Sequence, residues 1–247
     1  VPDASTLPGV VDRESGGKFA VYNYGRGGFG PGQMYTQLGI DSLFEDVEPR
    51  EGYAVYCFIG DHLNRVTPYT VHRLALHYGK GTFFDRKQTG ELVGPLFFTS
   101  ETLPNPVKRY HWWVEVSPTC RLLLHTVPWT LKTEEEAIGV AARVIVESCR
   151  KYRERFNGEF IVLIWPRVSV AQSGPKTPFA GANRLGLVSE SGIEELTGTL
   201  EEEGIRVLRV PPMPDAEAAV IHPRDEHPSE EEYEWVGRHL TDFLEGL

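Results

Sequence analysis

The chain has 247 residues, a length that fits one large domain or two small ones. Its 40% hydrophobic, 11% aromatic and 24% charged residues are ordinary for a folded globular protein and exclude a disordered chain. The net charge of −10 disfavours nucleic acid as a partner, and no apolar run approaches the ~18–20 residues of a transmembrane segment.

Four apolar runs predict buried parallel strands. They are Phe19–Asn23, Tyr53–Ile59, Phe160–Trp165 and Ile205–Val210. Helical patterns lie between and after them, at residues 33–44, 192–203, from Thr133 to Asn157-Gly158, and after Ser229. Capping boxes, Thr133 with Glu136 and Ser229 with Glu232, open two of these helices. Strands that alternate with helices predict a parallel sheet between helices.

Residues 70–126 interrupt this alternation. Their short apolar runs are separated by Gly79, Gly81 and Gly90. This spacing predicts a small β-hairpin insertion within a single domain of residues 1–247, and not a second α/β domain. The insertion is either a lid that shapes a binding site or mere decoration.

Three polar clusters follow predicted strands, at the edge where open parallel sheets bind ligands. The first, Asn23–Gln33, contains Gly-x-Gly-x-x-Gly, but Pro31 follows at once and the acidic residue of a dinucleotide site is absent. We therefore favour an oxyanion-binding loop, with a plain turn as the alternative. The second cluster is Gly60–Arg65, and the third contains Asp225 and His227.

An aspartate two residues before a histidine can hold the imidazole in one tautomer while the ring acts as a base. We predict this role for Asp225 and His227, in a loop past the last strand. A metal site through Asp61 and His62 would need further ligands. The three cysteines form no Cys-x-x-Cys pair, so a zinc knuckle is excluded. No Gly-x-Ser-x-Gly elbow supplies a nucleophile.

Together the clusters resemble the SGNH, or GDSL-type, hydrolase superfamily. Its four blocks carry a nucleophilic serine in Gly-Asp-Ser, a glycine N–H donor, an asparagine donor in Gly-x-Asn-Asp, and an Asp–His pair. Residues 21–33 resemble the second block, with Gly28 as the donor, and Asp225-Glu-His227 resembles the last.

Residues 58–62 fall where the third block belongs, with Asp61 in place of the usual asparagine. An ionised carboxylate cannot donate a hydrogen bond, so His62 or Asn64 would have to replace that donor. The Gly-Asp-Ser block is absent, and residues 1–8 resemble the segment that follows it. We therefore expect the serine upstream of Val1 and the chain alone to be inactive.

The resemblance implies a three-layer α/β/α, flavodoxin-like fold and a serine esterase that acts on a small ester or an acylated carbohydrate. His227 would be the general base, Asp225 its orienting partner, and the Gly28 N–H an oxyanion donor. This mechanism requires no metal ion and no organic cofactor. The alternatives are an acyltransferase that acts on carbohydrate and a catalytically inactive binding member.

Overall fold

The chain folds into a mixed α/β structure in which helices alternate along the sequence with the strands of a parallel sheet. The computed structural model describes residues 3–47, 51–68, 81–87, 89–99, 101–105, 107–109, 112, 117, 131–166, 188–215, 218–222 and 225–247. The helices are α1 (Leu7–Glu14), α2 (Pro31–Gln37), α3 (His62–Val66), α4 (Glu134–Arg155), α5 (Glu190–Glu202) and α6 (Glu230–Glu245). The strands are β1 (Tyr53–Phe58), β2 (Phe83–Arg86), β3 (Leu92–Leu96), β4 (Glu159–Ile164), β5 (Arg206–Arg209), β6 (Val220–His222) and β7 (Asp225–Pro228).

The parallel sheet has the strand order β1-β4-β5. Tyr53 pairs with Glu159 and Ile161 with Arg206, so each strand starts at the same edge. The central strand β4 is buried from Phe160 to Ile164, as its continuous apolar run predicts. Within the described ranges, no strand pairs with the outer edge of β1.

The prediction of a strand at Phe19–Asn23 is wrong, because this segment is irregular. Among the described residues, its backbone makes no hydrogen bond to β1, and the side chain of Tyr22 is 43% exposed. Phe19 nevertheless packs edge-on against Tyr53, with 6.2 Å between ring centroids. An apolar run forms a strand only where a neighbour pairs with its N–H and C=O groups, and no described strand does so here.

The helix caps formed as predicted. Thr133 Oγ1 accepts from the Glu136 amide (3.1 Å), and the Glu136 carboxylate accepts from the Thr133 amide (2.7 Å). Ser229 Oγ accepts from the Glu232 amide (3.1 Å) at the start of α6. The helix predicted at 33–44 is instead split, because α2 ends at Gln37 and a separate 3₁₀ turn covers Asp41–Phe44.

Part of the predicted insertion is described. β2 and β3 form an antiparallel hairpin that contacts α4, so the hairpin signal at 81–98 is confirmed. The run at residues 74–77 and Cys120 lie outside the described residues. Cys57 and Cys149 are free thiols; Cys149 is buried and Cys57 is half-buried.

Two helices contact the sheet through aromatic rings. Tyr152 of α4 meets Phe160 of β4, with centroids 6.0 Å apart. Tyr233 of α6 meets Trp165, directly after β4, at 5.5 Å. Helix α6 also packs on α1, where Gly237 faces the side chain of Val10.

We predict that Gly237→Ala destabilises the protein, whereas Gly198→Ala does not. A Cβ at Gly237 would lie 2.3 Å from Val10 Cγ1 and 2.8 Å from its Cβ, but a Cβ at Gly198 meets nothing within 4 Å. Both glycines lie inside helices, which makes them a matched pair. Urea unfolding should show a loss of ~1–3 kcal/mol for Gly237→Ala and a gain of up to ~1 kcal/mol for Gly198→Ala. Equal effects would contradict the close packing of α1 on α6.

Candidate functional site

The carboxyl end of β1 leads through a tight turn into α3. The His62 amide donates to the Ile59 carbonyl (3.0 Å), and the next amide closes the turn on Gly60. His62 and Asn64 are buried, with 7% and 1% of their surfaces exposed. The second predicted polar cluster is therefore packed inside the protein, where polar groups need partners.

Arg65 connects this cluster to the glycine-rich segment. Its Nε and Nη2 lie 2.9 and 2.7 Å from Asp61 Oδ2, and its Nη1 donates to the Phe29 carbonyl (2.8 Å). The two backbones come so close that a Cβ on Gly30 would lie 2.9 Å from Arg65 Cβ. The structure thus brings together two of the three clusters that the sequence indicated.

The sequence analysis did not assign a role to Arg65. The signal was the spacing of Asp61 and Arg65, four residues apart at the start of a helix, where opposite charges meet. The bond to Phe29 depends on tertiary structure and has no local signal. Because Asp61 accepts from Arg65, it acts as an anchor for the guanidinium, in line with the expectation that it does not donate.

Gly28 lies in an exposed turn in which the Phe29 amide donates to the Arg26 carbonyl (3.1 Å). Its φ of 82° is in the left-handed region, which favours glycine. The chain can therefore turn here without strain and reach Arg65. The role of the Gly28 N–H as an oxyanion donor remains a prediction.

His62 is held in place by aromatic residues of β1. Its Nδ1 lies 2.7 Å from the Tyr56 hydroxyl, and the Ile59 amide also points at Nδ1 (3.4 Å). The rings of Tyr56 and Phe58 contact the imidazole. Burial lowers the pKa of His62 to about 3; the Arg65 charge lowers this pKa too, and Asp61 opposes the shift. The imidazole is therefore neutral near pH 7.

Asp225 and His227 lie in β7, which pairs with β6, whereas the sequence predicted a loop there. A short hairpin forms because His222 pairs with Asp225 and Val220 with Pro228. The side chain of His227 is exposed.

The two halves of the predicted site are held by different elements. β7 contacts β6 and α6, whereas α3 contacts α2, α4 and β2. The approach of His227 to Gly28 remains a prediction. Ser229, which follows two residues after His227, is not a free nucleophile, because its hydroxyl donates to the Ala218 carbonyl (2.5 Å) and accepts from Glu232.

The described ranges contain neither a cluster of metal ligands nor a membrane-spanning helix. No group of three His, Cys, Asp or Glu side chains there is arranged to hold a metal ion. No described helix has the length and apolar character to cross a bilayer. No protein-family model, curated protein or solved structure matches this chain.

We predict that Arg65→Ala frees the glycine-rich segment. The substitution removes three charge-assisted contacts and leaves the Asp61 carboxylate without its guanidinium, which should cost ~2 kcal/mol. Arg26 lies in this segment and is exposed, so trypsin cleavage after Arg26 should become about 10-fold faster. Limited proteolysis with mass spectrometry measures this rate.

Arg150→Ala is the control for Arg65→Ala. Arg150 makes only half-exposed ion pairs with Glu147 and Glu203, so its loss should leave cleavage after Arg26 unchanged. Equal cleavage in the two variants would show that Arg65 does not hold the segment.

We predict that His62 makes the protein less stable in acid. Below the ordinary histidine pKa of ~6.5 the unfolded chain binds a proton that folded His62 does not take up until about pH 3. Unfolding is therefore favoured as the pH falls from ~6 to ~4. Urea titrations measure the free energy of unfolding of the His62→Gln variant and of the unsubstituted protein. As the pH falls, the difference between the two should shrink by up to ~1.4 kcal/mol per pH unit, because only the unsubstituted protein loses this contribution. Ser148→Ala, which removes a buried hydroxyl that does not titrate in this range, serves as the control and should show a pH-independent difference.

Proposed function

We propose that this chain forms most of a serine ester hydrolase of the SGNH type, which acts on a small ester or an acylated carbohydrate. The observation that carries the proposal is the Arg65 link. It holds the glycine-rich segment against the carboxyl end of β1, so that the second and third blocks of the resemblance share one site.

The sheet supports a flavodoxin-like arrangement. In that strand order, 2-1-3-4-5, the last three strands are neighbours in sequence order, as β1, β4 and β5 are here. Phe160 and Trp165 are an odd number of positions apart, a spacing that places side chains on opposite faces of an extended strand. Tyr152 of α4 contacts Phe160, and Tyr233 of α6 contacts Trp165. These contacts support a helix layer on each face of the sheet.

No strand in the described ranges pairs with the outer edge of β1. This free edge supports the proposal that a further strand, which carries the nucleophile, lies there. In the flavodoxin-like order strand 1 is the neighbour of strand 3, the place that β1 would take here, whereas Phe19–Asn23 is irregular. In the described residues, Phe19 touches Tyr53 but no backbone bond joins the two segments. A strand added between them would pair with β1 and end beside Gly60. A serine at that end would lie near the glycine-rich segment.

In the proposed reaction, the serine Oγ attacks the ester carbonyl while His227 takes its proton, and Asp225 orients the imidazole. The carbonyl oxygen becomes an oxyanion, which the Gly28 N–H stabilises. The alcohol leaves with the proton from His227, and water then releases the acid from the acyl-enzyme. The cluster after β1 would supply the third donor, from His62 or Asn64, because Asp61 stands in place of the usual asparagine and an ionised carboxylate cannot donate.

We predict that residues 1–247 alone do not hydrolyse p-nitrophenyl acetate, because the Gly-Asp-Ser block that carries the nucleophile in the proposed mechanism is not in this sequence. The protein translated from the codons upstream of Val1 should hydrolyse it. His227→Ala in that longer protein should lower kcat by ~10⁴-fold or more, as removal of a triad base does.

His239→Ala is the matched control, since His239 lies on α6 with its Nδ1 against the Trp235 carbonyl (2.8 Å). It should retain activity. Hydrolysis by residues 1–247 that depends on His227 would place the nucleophile within this chain and contradict the proposal. An upstream segment with no Gly-Asp-Ser would favour a binding protein.

A further inference from the structure

We propose that His62 is a hydrogen-bond donor for an anionic oxygen at the carboxyl end of β1, and that Tyr56 and the Ile59 amide fix its ring with the proton on Nε2. This inference rests on the proposed function, because it names the third oxyanion donor of that site.

The contacts at Nδ1 determine the tautomer. The Ile59 N–H is directed at Nδ1, and a backbone amide can only donate. Nδ1 therefore carries a lone pair and no hydrogen. The Tyr56 hydroxyl, 2.7 Å away, can act either as donor or as acceptor, and here it must donate. A neutral imidazole without a proton on Nδ1 carries it on Nε2.

The protonation states of both residues support this arrangement over a wide pH range. The pKa of His62 is about 3 because of burial, so the ring does not become imidazolium near neutrality. Burial also raises the pKa of Tyr56 well above its ordinary value, so the phenol keeps the hydrogen that it donates. With Nδ1 occupied and Nε2 protonated, the ring cannot act as a general base, and that role is left to His227.

The ring is also held in a fixed orientation, which an oxyanion donor requires. Tyr56 and Phe58 contact it with ring centroids 5.5 and 5.7 Å away. His62 is the first residue of α3, directly after β1, and Arg65 of the same helix holds the glycine-rich segment.

Its neighbours are less suited to donate. The carboxylate of Asp61 accepts from Arg65, and Asn64 is more deeply buried than His62. Of the three candidates in this cluster, His62 is therefore the best placed to donate.

The first test determines the tautomer of His62 by NMR. Long-range ¹H–¹⁵N correlation spectra of ¹⁵N-labelled residues 1–247 show which ring nitrogen carries the proton. We expect a protonated Nε2 and an unprotonated Nδ1, unchanged from about pH 5 to 8. Tyr56→Phe should raise the Nδ1–H fraction by about fivefold, since one hydrogen bond to Nδ1 is lost. Tyr152→Phe is the control: it removes a partly buried hydroxyl that donates to the Gly52 carbonyl, and it should leave the tautomer of His62 unchanged. A proton on Nδ1 in the unsubstituted protein would overturn the proposal.

The second test uses acetate, a carboxylate product of ester hydrolysis, as the anionic probe. Titration with acetate should move the His62 Nε2–H resonance, and Arg65→Ala should weaken this response because the glycine-rich segment is released. A resonance that does not respond to acetate would overturn the proposal. If acetate moves the resonance but the longer protein hydrolyses no ester, the donor assignment stands and the hydrolase proposal fails.

The third test uses the longer protein. His62→Leu should lower kcat by ~10²–10³-fold with little change in KM, as loss of one oxyanion donor does. His62→Gln, whose side-chain amide can donate, should recover part of this loss. Equal kcat in His62→Leu and the unsubstituted protein would overturn the proposal.

Discussion

The guanidinium of Arg65 is the interaction on which the candidate site depends. It joins a segment of irregular backbone to a helix that starts directly after the sheet. A glycine-rich segment pays a high entropic cost to adopt one conformation. Arg65 offsets part of this cost with hydrogen bonds to one charged and one backbone oxygen. Because the arginine is mostly buried, these contacts are less screened by solvent than surface ion pairs are.

Arg65 also has an electrostatic effect on its neighbour. Its charge lies close to His62 and, together with burial, opposes protonation of the imidazole. The acidic partner Asp61 reduces this effect but does not reverse it. Arg65 therefore positions the glycine-rich segment and adds to the effect of burial, which is the main reason that the adjacent histidine stays neutral. The buried imidazole of His62, fixed by Tyr56, differs from the exposed side chain of His227. In the proposed site, the first would donate a hydrogen bond and the second would accept a proton.

The rest of the fold supplies a rigid support for these residues. The buried strand β4 pairs with β1 and fixes the point at which α3 begins. Helix α6 starts at the Ser229 cap, directly after β7, and packs on α1 through Gly237. The position of His227 therefore depends on the α1–α6 contact, whereas the position of His62 depends on the sheet. The proposed site needs both supports, so packing defects at Gly237 and at Arg65 should act on different halves of it.

The sequence alone determined the elements whose signals are local. Apolar runs, nearly continuous for β1 and β4, predicted β1, β4 and β5. The Thr133 capping box predicted where α4 begins, because capping depends on neighbouring residues. The residues of the glycine-rich segment and of the α3 cluster were also predicted as candidates. Only the tertiary structure decided that Phe19–Asn23 is irregular, that Asp225 and His227 lie in a strand, and that Arg65 and Tyr56 contact Phe29 and His62. Each of these depends on a partner that is distant in sequence or adjacent only after folding: a neighbouring strand, the Phe29 carbonyl, or the Nδ1 atom of a buried histidine.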